Sequence, residues 1–456
     1  MLENTLDNIF TDYDESIFSD SSIDPMGLRI IWTSLGGKIF HNKLNTVSTD
    51  IKLYTLNLFH HYLIQKCITE EVDSVNQLIR KKPYFNKADL YEGLIIFLEN
   101  VLIHATYNAN NSALIVPGKN KLSNLKKNGI KNNLVNKIAV NREQGILVRQ
   151  YLLGIHGRHK GPFIQMGVFN ENTENIYSNQ EIWNEAASIF NDSPWKDAAV
   201  ELIDLIKNKL LKPNTKSGAF IEYNVEDVLT QKIESTYVVL LNKEIYYKSK
   251  ISNFWLNRLG LTQSTAGVLF TEYLNQKPNV NYQQIILKAC NDSRDKLLMA
   301  ITAIEPLLTL VEKSITRLLI LGTINIDNEL AQFFNEWLDN NEVDVLKIQS
   351  FLSLNYLSQD AINRVQKLLD IYSNAKSAEN QVEYFITYLI KYHQDIMKTR
   401  GNLSWISIGV NNNISVHRSI NRFDPTFSYL KSKDWVNTYY LPTVESLHKG
   451  LTNEAI

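Results

Sequence analysis

Chain-breaking residues are scarce in this sequence, and their scarcity limits the folds that it can adopt. Ten prolines and eighteen glycines are spread over 456 residues. Sandwiches and barrels made of many short strands need turn residues every few positions, whereas long helices need far fewer. Apolar residues recur at helical spacing through most of the chain, above all between residues 252 and 400. The sequence therefore predicts a mainly α, multi-helical protein with two or more subdomains.

Two short segments have the pattern of β hairpins instead. Residues 236–247 read TYVVLLNKEIYY, with β-branched and aromatic side chains on both sides of Asn242 and Lys243. Residues 403–417 alternate apolar and polar side chains around an Asn-rich turn. We therefore expect a short hairpin in each of these segments.

Capping residues mark the starts of several helices. One helix is predicted to begin at the capping run Ser48-Thr49-Asp50 and another at Asn86, because such side chains accept hydrogen bonds from the first helical turn. Pro194 marks the first turn of a helix that is expected to run to Leu211. The last helix is expected over residues 434–451.

Three parts of the chain are expected from these patterns. Residues 1–24 form an acidic arm with seven Asp and Glu and no Lys or Arg. A helical domain follows over residues 25–212 and contains a basic stretch with several glycines at 119–160. A second helical domain covers residues 220–456 and ends with the second hairpin and the terminal helix.

The sequence carries no pattern typical of secretion, membrane insertion or cofactor binding. Cys67 and Cys290 are the only cysteines, too few for a disulfide framework or a Cys-based zinc site. The start MLENTLDNIF lacks the basic and apolar regions of a secretory signal. The most apolar stretch, residues 297–311, contains Glu305 and Pro306 and is too short to span a bilayer. We therefore expect a cytoplasmic protein without a membrane segment or cofactor.

Charge is almost balanced over the whole chain but not over residues 119–160. The net charge is -1, yet this basic stretch contains ten Lys and Arg and a single acid, Glu143. So many cations cannot all be neutralised by sequence neighbours, so they meet acids elsewhere in the fold, meet a polyanion, or remain solvated. The ten residues are Lys119, Lys121, Lys126, Lys127, Lys131, Lys137, Arg142, Arg149, Arg158 and Lys160.

We interpret the basic stretch as a contact surface for a nucleic-acid backbone. Phosphate contacts need cations and backbone N–H groups but little geometric precision. Tyr151 is the only aromatic residue of the stretch apart from its histidines, which argues against a stacking platform for single strands and favours duplex DNA as the partner. The leading hypothesis is a non-enzymatic, nucleic-acid-associated subunit of a larger cytoplasmic complex with protein partners, for example in bacterial genome maintenance or anti-phage (antiviral) defence.

Two other functions are open on this sequence. Arg149 and His156 could cleave RNA without a metal, as in HEPN-like ribonucleases, with the histidine as acid or base and the arginine on the phosphate. Gly154 and Gly157 disfavour the unbroken helix that would bring this pair together. Alternatively, the protein is a scaffold whose basic stretch docks an acidic partner or its own residues 1–24.

The histidines form no pattern typical of a metal site. His60 and His61 are adjacent, so on a helix they point about 100° apart and are a poor pair of ligands for one ion. The sequence has no His-Glu-x-x-His motif and no Cys pair. We therefore predict no metal site and interpret each histidine as a core or surface residue.

Overall fold

The computed structural model describes residues 24–47, 49–80, 84, 86–109, 116–127, 133–172, 175–211, 220–247, 249–321, 328–340, 343–409, 413–417 and 432–452. Residues 1–23 of the acidic arm and residues 212–219, where a domain break was expected, lie outside the described residues. Lys131 of the basic stretch lies outside them too.

Helices make up most of the described structure, which confirms the prediction of a mainly α fold. The α-helices are α1 Arg29–Ile39, α2 Ile51–Glu70, α3 Val72–Arg80, α4 Lys87–Asn108, α5 Lys119–Lys127, α6 Asn133–Asn136, α7 Gln150–Leu153, α8 Ile155–Gln165, α9 Gln180–Phe190, α10 Trp195–Leu205, α11 Val225–Val228, α12 Gln231–Leu240, α13 Ser249–Arg258, α14 Ser264–Gln276, α15 Tyr282–Ser293, α16 Lys296–Leu321, α17 Asn328–Asn340, α18 Val345–Leu352, α19 Gln359–Ser377, α20 Gln381–Thr399 and α21 Leu441–Leu451. A π-helical turn, Ile206–Leu210, extends α10, and a 3-10 helix covers Lys243–Tyr247.

The chain forms two compact units, and their boundaries differ from those expected from the sequence. One contains residues 37–285 and 440–456, and the other contains residues 1–36 and 286–439. The chain crosses between them once at Tyr439 and Tyr440 and twice inside continuous helices, α1 and α15. A helix interior lacks the exposed, polar composition that usually marks a linker, so the sequence carries no signal for these crossings.

The two units differ in charge. The unit of residues 37–285 and 440–456 has thirty Lys and Arg against twenty-four Asp and Glu, a net charge of +6. The other unit has seventeen Lys and Arg against twenty-four acids, a net charge of -7. We call them the basic unit and the acidic unit.

Helix α2 lies at the centre of the basic unit. Most of its side chains are buried, and α4, α8, α9, α10 and α21 pack against it. Its Phe59 ring lies 5.0 Å from the rings of both Phe190 and Trp195. Close packing of large rings leaves little free space in a protein core, so the polar groups carried by α2 are held in fixed positions.

Two helix starts in the basic unit confirm the predicted caps. The Asp50 side chain accepts a hydrogen bond from the Lys52 N–H at the start of α2, and Asn86 accepts one from the Asp89 N–H at the start of α4. Helix α10 begins at Trp195, directly after Pro194, and its π-helical turn ends one residue before the predicted end.

Helix α16 forms the core of the acidic unit, with α17, α18, α19 and α20 packed against it. Its buried Glu305 accepts hydrogen bonds from the Trp32 indole at 3.0 Å and from the Tyr439 hydroxyl at 2.5 Å. Neither α16 nor another helix among the described residues is long and apolar enough to cross a membrane.

Two small antiparallel sheets complete the described structure. Strands β3 (Ile406–Ile408) and β4 (Ile414–Val416) pair with Ser407 opposite Ser415, which confirms the predicted hairpin at 403–417. Strands β1 (Lys137–Ala139) and β2 (Glu222–Asn224) pair with Ile138 opposite Tyr223. The second pairing joins segments that are far apart in sequence, so no hairpin pattern marks it.

The prediction of a hairpin at residues 236–247 is wrong, because this segment is helical. Thr230 caps helix α12, and the apolar side chains of Ile233, Tyr237 and Leu240 are buried along one face of it. The β-branched residues Val238 and Val239 lie on the exposed face. Strand propensity is weak and depends on packing, so a buried stripe at helical spacing overrides it here.

The last helix is shorter than the predicted 434–451. It begins at Leu441, because Tyr439 and Tyr440 adopt left-handed backbone conformations with φ of 48° and 63°. Before them, the Asn437 N–H donates to the Glu305 carboxylate at 3.3 Å. This backbone group is therefore bonded to a side chain of α16 and not to a helical carbonyl.

Candidate nucleic-acid interface

The basic stretch is carried by several elements of the basic unit. Lys119, Lys121, Lys126 and Lys127 lie on α5, Lys137 on β1, Arg142 and Arg149 in the connection to α7, and Arg158 and Lys160 on α8. The stretch is therefore not one continuous helix face, and each part has its own surroundings.

Helix α5 packs against α4 and has two buried leucines. Leu122 and Leu125 are buried, whereas Lys127 is exposed. The Lys126 ammonium lies 4.2 Å from the centre of the Tyr107 ring. Partial burial lowers the pKa of Lys126, as it does for Lys119. Helix α5 thus presents part of its cationic side to solvent while its apolar side holds it in place.

Two cations of the stretch pair with acids of the same unit. Lys137 meets Glu222 across the β1–β2 sheet at 2.6 Å. Arg142 lies 2.9 Å from Glu92 and 3.2 Å from Glu143. Neutralisation within the fold, one of the three outcomes expected from the sequence, therefore applies to these two residues.

Arg149 is exposed and has a left-handed backbone with φ of 61°. On either side of it, Val148 is 63% exposed and Leu152 is 58% exposed. A non-glycine residue in this conformation is uncommon and costs free energy. We call the segment 147–152 the Arg149 turn.

A buried polar network holds the Arg149 turn from below. The Gln150 side chain donates to Glu99 at 3.0 Å and accepts a hydrogen bond from the Leu147 N–H at 3.2 Å. The backbone N–H of His156 donates to the other oxygen of Glu99 at 2.6 Å. Next to this carboxylate, Asn100 donates to the Gln144 carbonyl at 3.1 Å. The turn is thus bonded to α4 through Gln150, and the chain on either side of it through Gln144 and His156.

Gly154 allows this close approach to α4. A Cβ atom on Gly154 would lie 2.1 Å from Glu99 Oε2. No side chain larger than hydrogen fits at that distance, which explains why the break between α7 and α8 contains a glycine. The glycine cluster of the sequence therefore has, at this position, a steric role under the basic surface.

Burial raises the pKa of the Glu99 carboxyl from 4.5 to about 7, although hydrogen bonds from the His156 backbone and the Gln150 side chain oppose this rise. The sequence carries a signal for this buried acid. Glu99 is an acid within the apolar run LIIFLENVLI, and a charge at such a position is either buried and bonded or at the helix surface.

Two histidines from distant parts of the chain meet beside the network. His61 Nε2 lies 2.9 Å from His156 Nδ1, and His61 Nδ1 lies 2.7 Å from the Tyr177 hydroxyl. The Tyr151 ring stacks on His156 with a centroid distance of 4.7 Å. Tyr151 is only partly buried, so it lies between His156 and the surface that carries Lys160, whose ammonium is 5.4 Å from the Tyr151 ring.

The histidine pair is neutral at physiological pH. Burial, together with a smaller effect of the nearby Lys160 charge, lowers the pKa of His156 to about 3. Burial and the neighbouring His156 lower the pKa of His61 well below its usual value. A base with so low a pKa takes up a proton poorly at pH 7, which argues against general-base catalysis by His156.

A small cavity borders this pair and has room for about one water molecule. His156 Nε2 is buried there and makes no hydrogen bond to any residue that the structure describes. The cavity is lined by His61, Ala88, Tyr91, Glu92, Ile95, Tyr151, His156, Ile176 and Tyr177.

Arg149 and His156, the pair considered for RNA cleavage, are not brought together. Arg149 is exposed at the start of α7, His156 is buried in α8, and the helix is interrupted at Gly154. These two residues share no hydrogen bond or ring contact within the described part of the chain.

The adjacent histidines of α2 have separate partners. His60 Nε2 lies 3.0 Å from the Tyr237 hydroxyl, on the side of α12, whereas His61 meets His156. Their side chains therefore point in different directions, as the helical spacing predicts. Among the described residues no group of three His, Cys, Asp or Glu is arranged to hold a metal ion.

The chain matches no protein-family model, and no curated protein and no solved structure matches it at a significant level.

Proposed function

We propose that the basic unit binds a nucleic-acid backbone and that the protein is a non-enzymatic subunit of a larger cytoplasmic assembly that handles nucleic acid. Genome maintenance and anti-phage defence are contexts that would use such a subunit. Duplex DNA is the favoured partner, because Tyr151 is half-covered by its stack on His156 and offers no open platform for a single strand.

The charge distribution is the observation that carries this proposal. A chain with a net charge of -1 has a unit at +6, and the basic stretch alone has an excess of nine positive charges. Such local excess attracts polyanions by a field that total charge does not reveal. Lys127 and Arg149 are exposed, and Lys160 is half-buried at the surface of α8.

Binding to labelled duplex DNA should weaken steeply as salt is raised, because each phosphate contact releases a counterion. In the double variant Lys126→Glu/Lys127→Glu the affinity should fall at least tenfold at low salt, and the slope of log K against log salt should decrease by about two. Fluorescence anisotropy over a salt series measures both quantities, with circular dichroism as a check of folding.

The matched control reverses two exposed lysines of the acidic unit, Lys367→Glu/Lys398→Glu. It should bind DNA almost as the unchanged protein does. Equal losses in both variants would indicate a nonspecific effect of net charge and would contradict an interface on α5. An unchanged protein that binds no DNA, single strand or RNA at low salt would contradict the proposed function itself.

RNA cleavage by His156 is the other enzymatic possibility that the sequence left open. His156 Nε2 borders the small cavity and makes no hydrogen bond to a described residue, but the low pKa of His156 and its separation from Arg149 argue against this role. If this candidate is correct, His156→Ala abolishes cleavage of labelled RNA and leaves binding nearly intact. Loss of RNA cleavage in Arg149→Ala as well would support the pair considered above, whereas cleavage that persists in both variants would exclude it.

A scaffold role makes a different prediction. If residues 1–24 or an acidic partner cover the basic stretch, the full protein should bind no nucleic acid, and removal of residues 1–24 should expose binding or change assembly. The mass of the full and truncated proteins in solution, together with their DNA affinity, distinguishes this role from the proposed function.

A further inference from the structure

We infer that the Arg149 turn is the part of the basic unit that enters a groove of the nucleic-acid duplex. Arg149 would contact phosphate, and Val148 and Leu152 would lie against sugars and base edges. This inference rests on the proposed function and adds to it the residues that make the closest contact.

The exposed apolar side chains are the first observation. Val148 and Leu152 are both more than half exposed, although α4 and α8 nearby contain many buried apolar residues. They flank an exposed arginine, and apolar side chains beside arginine are a common means of groove contact and base-step contact in nucleic-acid binders. Neither residue contributes its side chain to the core of the basic unit.

The backbone of Arg149 is the second observation. The left-handed conformation is unfavourable for a residue with a Cβ atom, and it persists only where surrounding contacts impose it. Here the bonds of Gln150 to Glu99 and Leu147 impose it from below. The fold thus holds an exposed arginine in a strained conformation on a fixed base, which is the arrangement of a preorganised contact residue.

Charge complementarity identifies the occupant as a nucleic acid. Arg149 follows the lysines of α5 in sequence and precedes Arg158 and Lys160 of α8, and residues 144–160 contain no Asp or Glu. An apolar partner surface would offer the exposed Arg149 no counter-charge, whereas a duplex offers phosphates for the cations and sugar edges for the apolar side chains.

Arg149→Gly is the first test, because it separates binding from folding. Glycine adopts a φ of 61° without strain, so the urea midpoint of the variant should stay equal or rise. Affinity for duplex DNA should fall about tenfold. Lys127→Ala, which removes one exposed charge from α5, is the matched control and should cost clearly less affinity.

Val148→Ser/Leu152→Ser is the second test, since it changes no charge. Affinity should fall about fivefold or more, while the salt slope should remain that of the unchanged protein. The matched control is Val238→Ser/Val239→Ser on α12, where two valines are 43% and 46% exposed. This control should bind DNA normally.

The outcomes distinguish the inference from the proposed function. If the α5 variants lose binding but the Arg149→Gly and Val148→Ser/Leu152→Ser proteins bind normally, the inference is overturned and the proposed function stands. A lower urea midpoint in Arg149→Gly would also overturn it, because the arginine would then support the fold. If the unchanged protein binds no nucleic acid at low salt, both fail together.

Discussion

Lowering the pH from 7 to 5 is expected to destabilise the basic unit strongly, because burial keeps four of its histidines neutral in the folded state. Burial lowers the pKa of His60 and His156 to about 3 and that of His159 to about 4, and it lowers the pKa of His61 well below its usual value. In the unfolded chain these rings take up protons near pH 6.5. The stability that depends on the neutral rings is therefore complete above pH 6.5 and is lost as the pH falls.

The expected effect is large compared with the stability of a domain. Each such histidine contributes a slope of about 1.4 kcal/mol per pH unit between its unfolded and folded pKa. Glu99 acts in the opposite sense, since its raised pKa of about 7 makes the folded state hold a proton that the unfolded state has lost. With four histidines acting against one carboxyl, the free energy of unfolding should fall by about 4 kcal/mol per pH unit near pH 5.5. This is a large loss, because the free energy of unfolding of a domain is usually only about 5–15 kcal/mol.

The acidic unit should respond differently over the same range. Burial lowers the pKa of His393, but it raises the pKa of both Glu305 and Glu312 to about 7. Two carboxyls with raised pKa values outweigh one histidine with a lowered pKa, so the folded acidic unit should become more stable as the pH falls from 7 to 5. Hydrogen exchange followed by mass spectrometry, corrected for the intrinsic pH dependence, should therefore show α2 and α4 opening at a higher pH than α16.

Variants test whether the histidine pair causes this acid sensitivity. His61→Phe/His156→Phe removes two of the four histidines but leaves Glu99, so the net slope of unfolding free energy against pH should decrease by about two thirds, from about 4 to about 1.4 kcal/mol per pH unit. His41→Asn is the control, because His41 is exposed and asparagine tolerates its φ of 49°. An unchanged slope of unfolding free energy against pH in the double variant would contradict the assignment of the acid sensitivity to the buried histidines. Equal hydrogen exchange of both units at pH 5 would contradict it as well.

Local signals in the sequence predicted the helices well. The caps at Asp50 and Asn86 act through neighbours within three residues, so their effect is readable without the rest of the chain. The segment 236–247 shows the limit of this approach. Its β-branched composition favoured a hairpin, but the burial of Tyr237 against the core of the basic unit decides the outcome, and that contact is not local.

The candidate interface was predictable in part for the same reason. Charge is a property of the sequence, so the ten cations could be named in advance, but their pairing with Glu222 and Glu92 depends on long-range contacts. His61 and His156 are 95 residues apart and meet only because α2 packs on α8. Sequence spacing favoured Arg149 as the partner of His156, whereas the fold gives it His61.

Replacing Glu99 by glutamine should destabilise the basic unit, although the two side chains have nearly the same shape. Both carboxylate oxygens accept hydrogen bonds, from the His156 backbone and from the Gln150 side chain. A glutamine must direct its own NH2 group toward one of these donors. Leaving a buried donor without an acceptor costs about 1–3 kcal/mol, and urea denaturation at pH 8 should show a loss of this size.

The loss of stability caused by Glu99→Gln should also depend on pH, and the raised pKa of Glu99 determines whether it grows or shrinks as the pH rises. Because the folded pKa of about 7 lies above the unfolded value of 4.5, protonation of Glu99 stabilises the fold below pH 7 and this contribution disappears as the pH rises through 7. Glutamine lacks the contribution, so the difference between the two proteins should be about 1.4 kcal/mol larger at pH 6 than at pH 8.

Glu143→Gln provides the matched control at both pH values, since Glu143 lies at the surface with 77% of its side chain exposed. The Glu143→Gln change should alter the free energy of unfolding by no more than about 0.5 kcal/mol at either pH. A Glu99→Gln loss of unfolding free energy that is the same at pH 6 and pH 8 would contradict the raised pKa.

Because Glu99 holds Gln150 under the Arg149 turn, the Glu99→Gln variant should also bind duplex DNA more weakly at a pH where it remains folded. Normal binding by a destabilised but folded Glu99→Gln protein would show that the turn does not need its buried anchor.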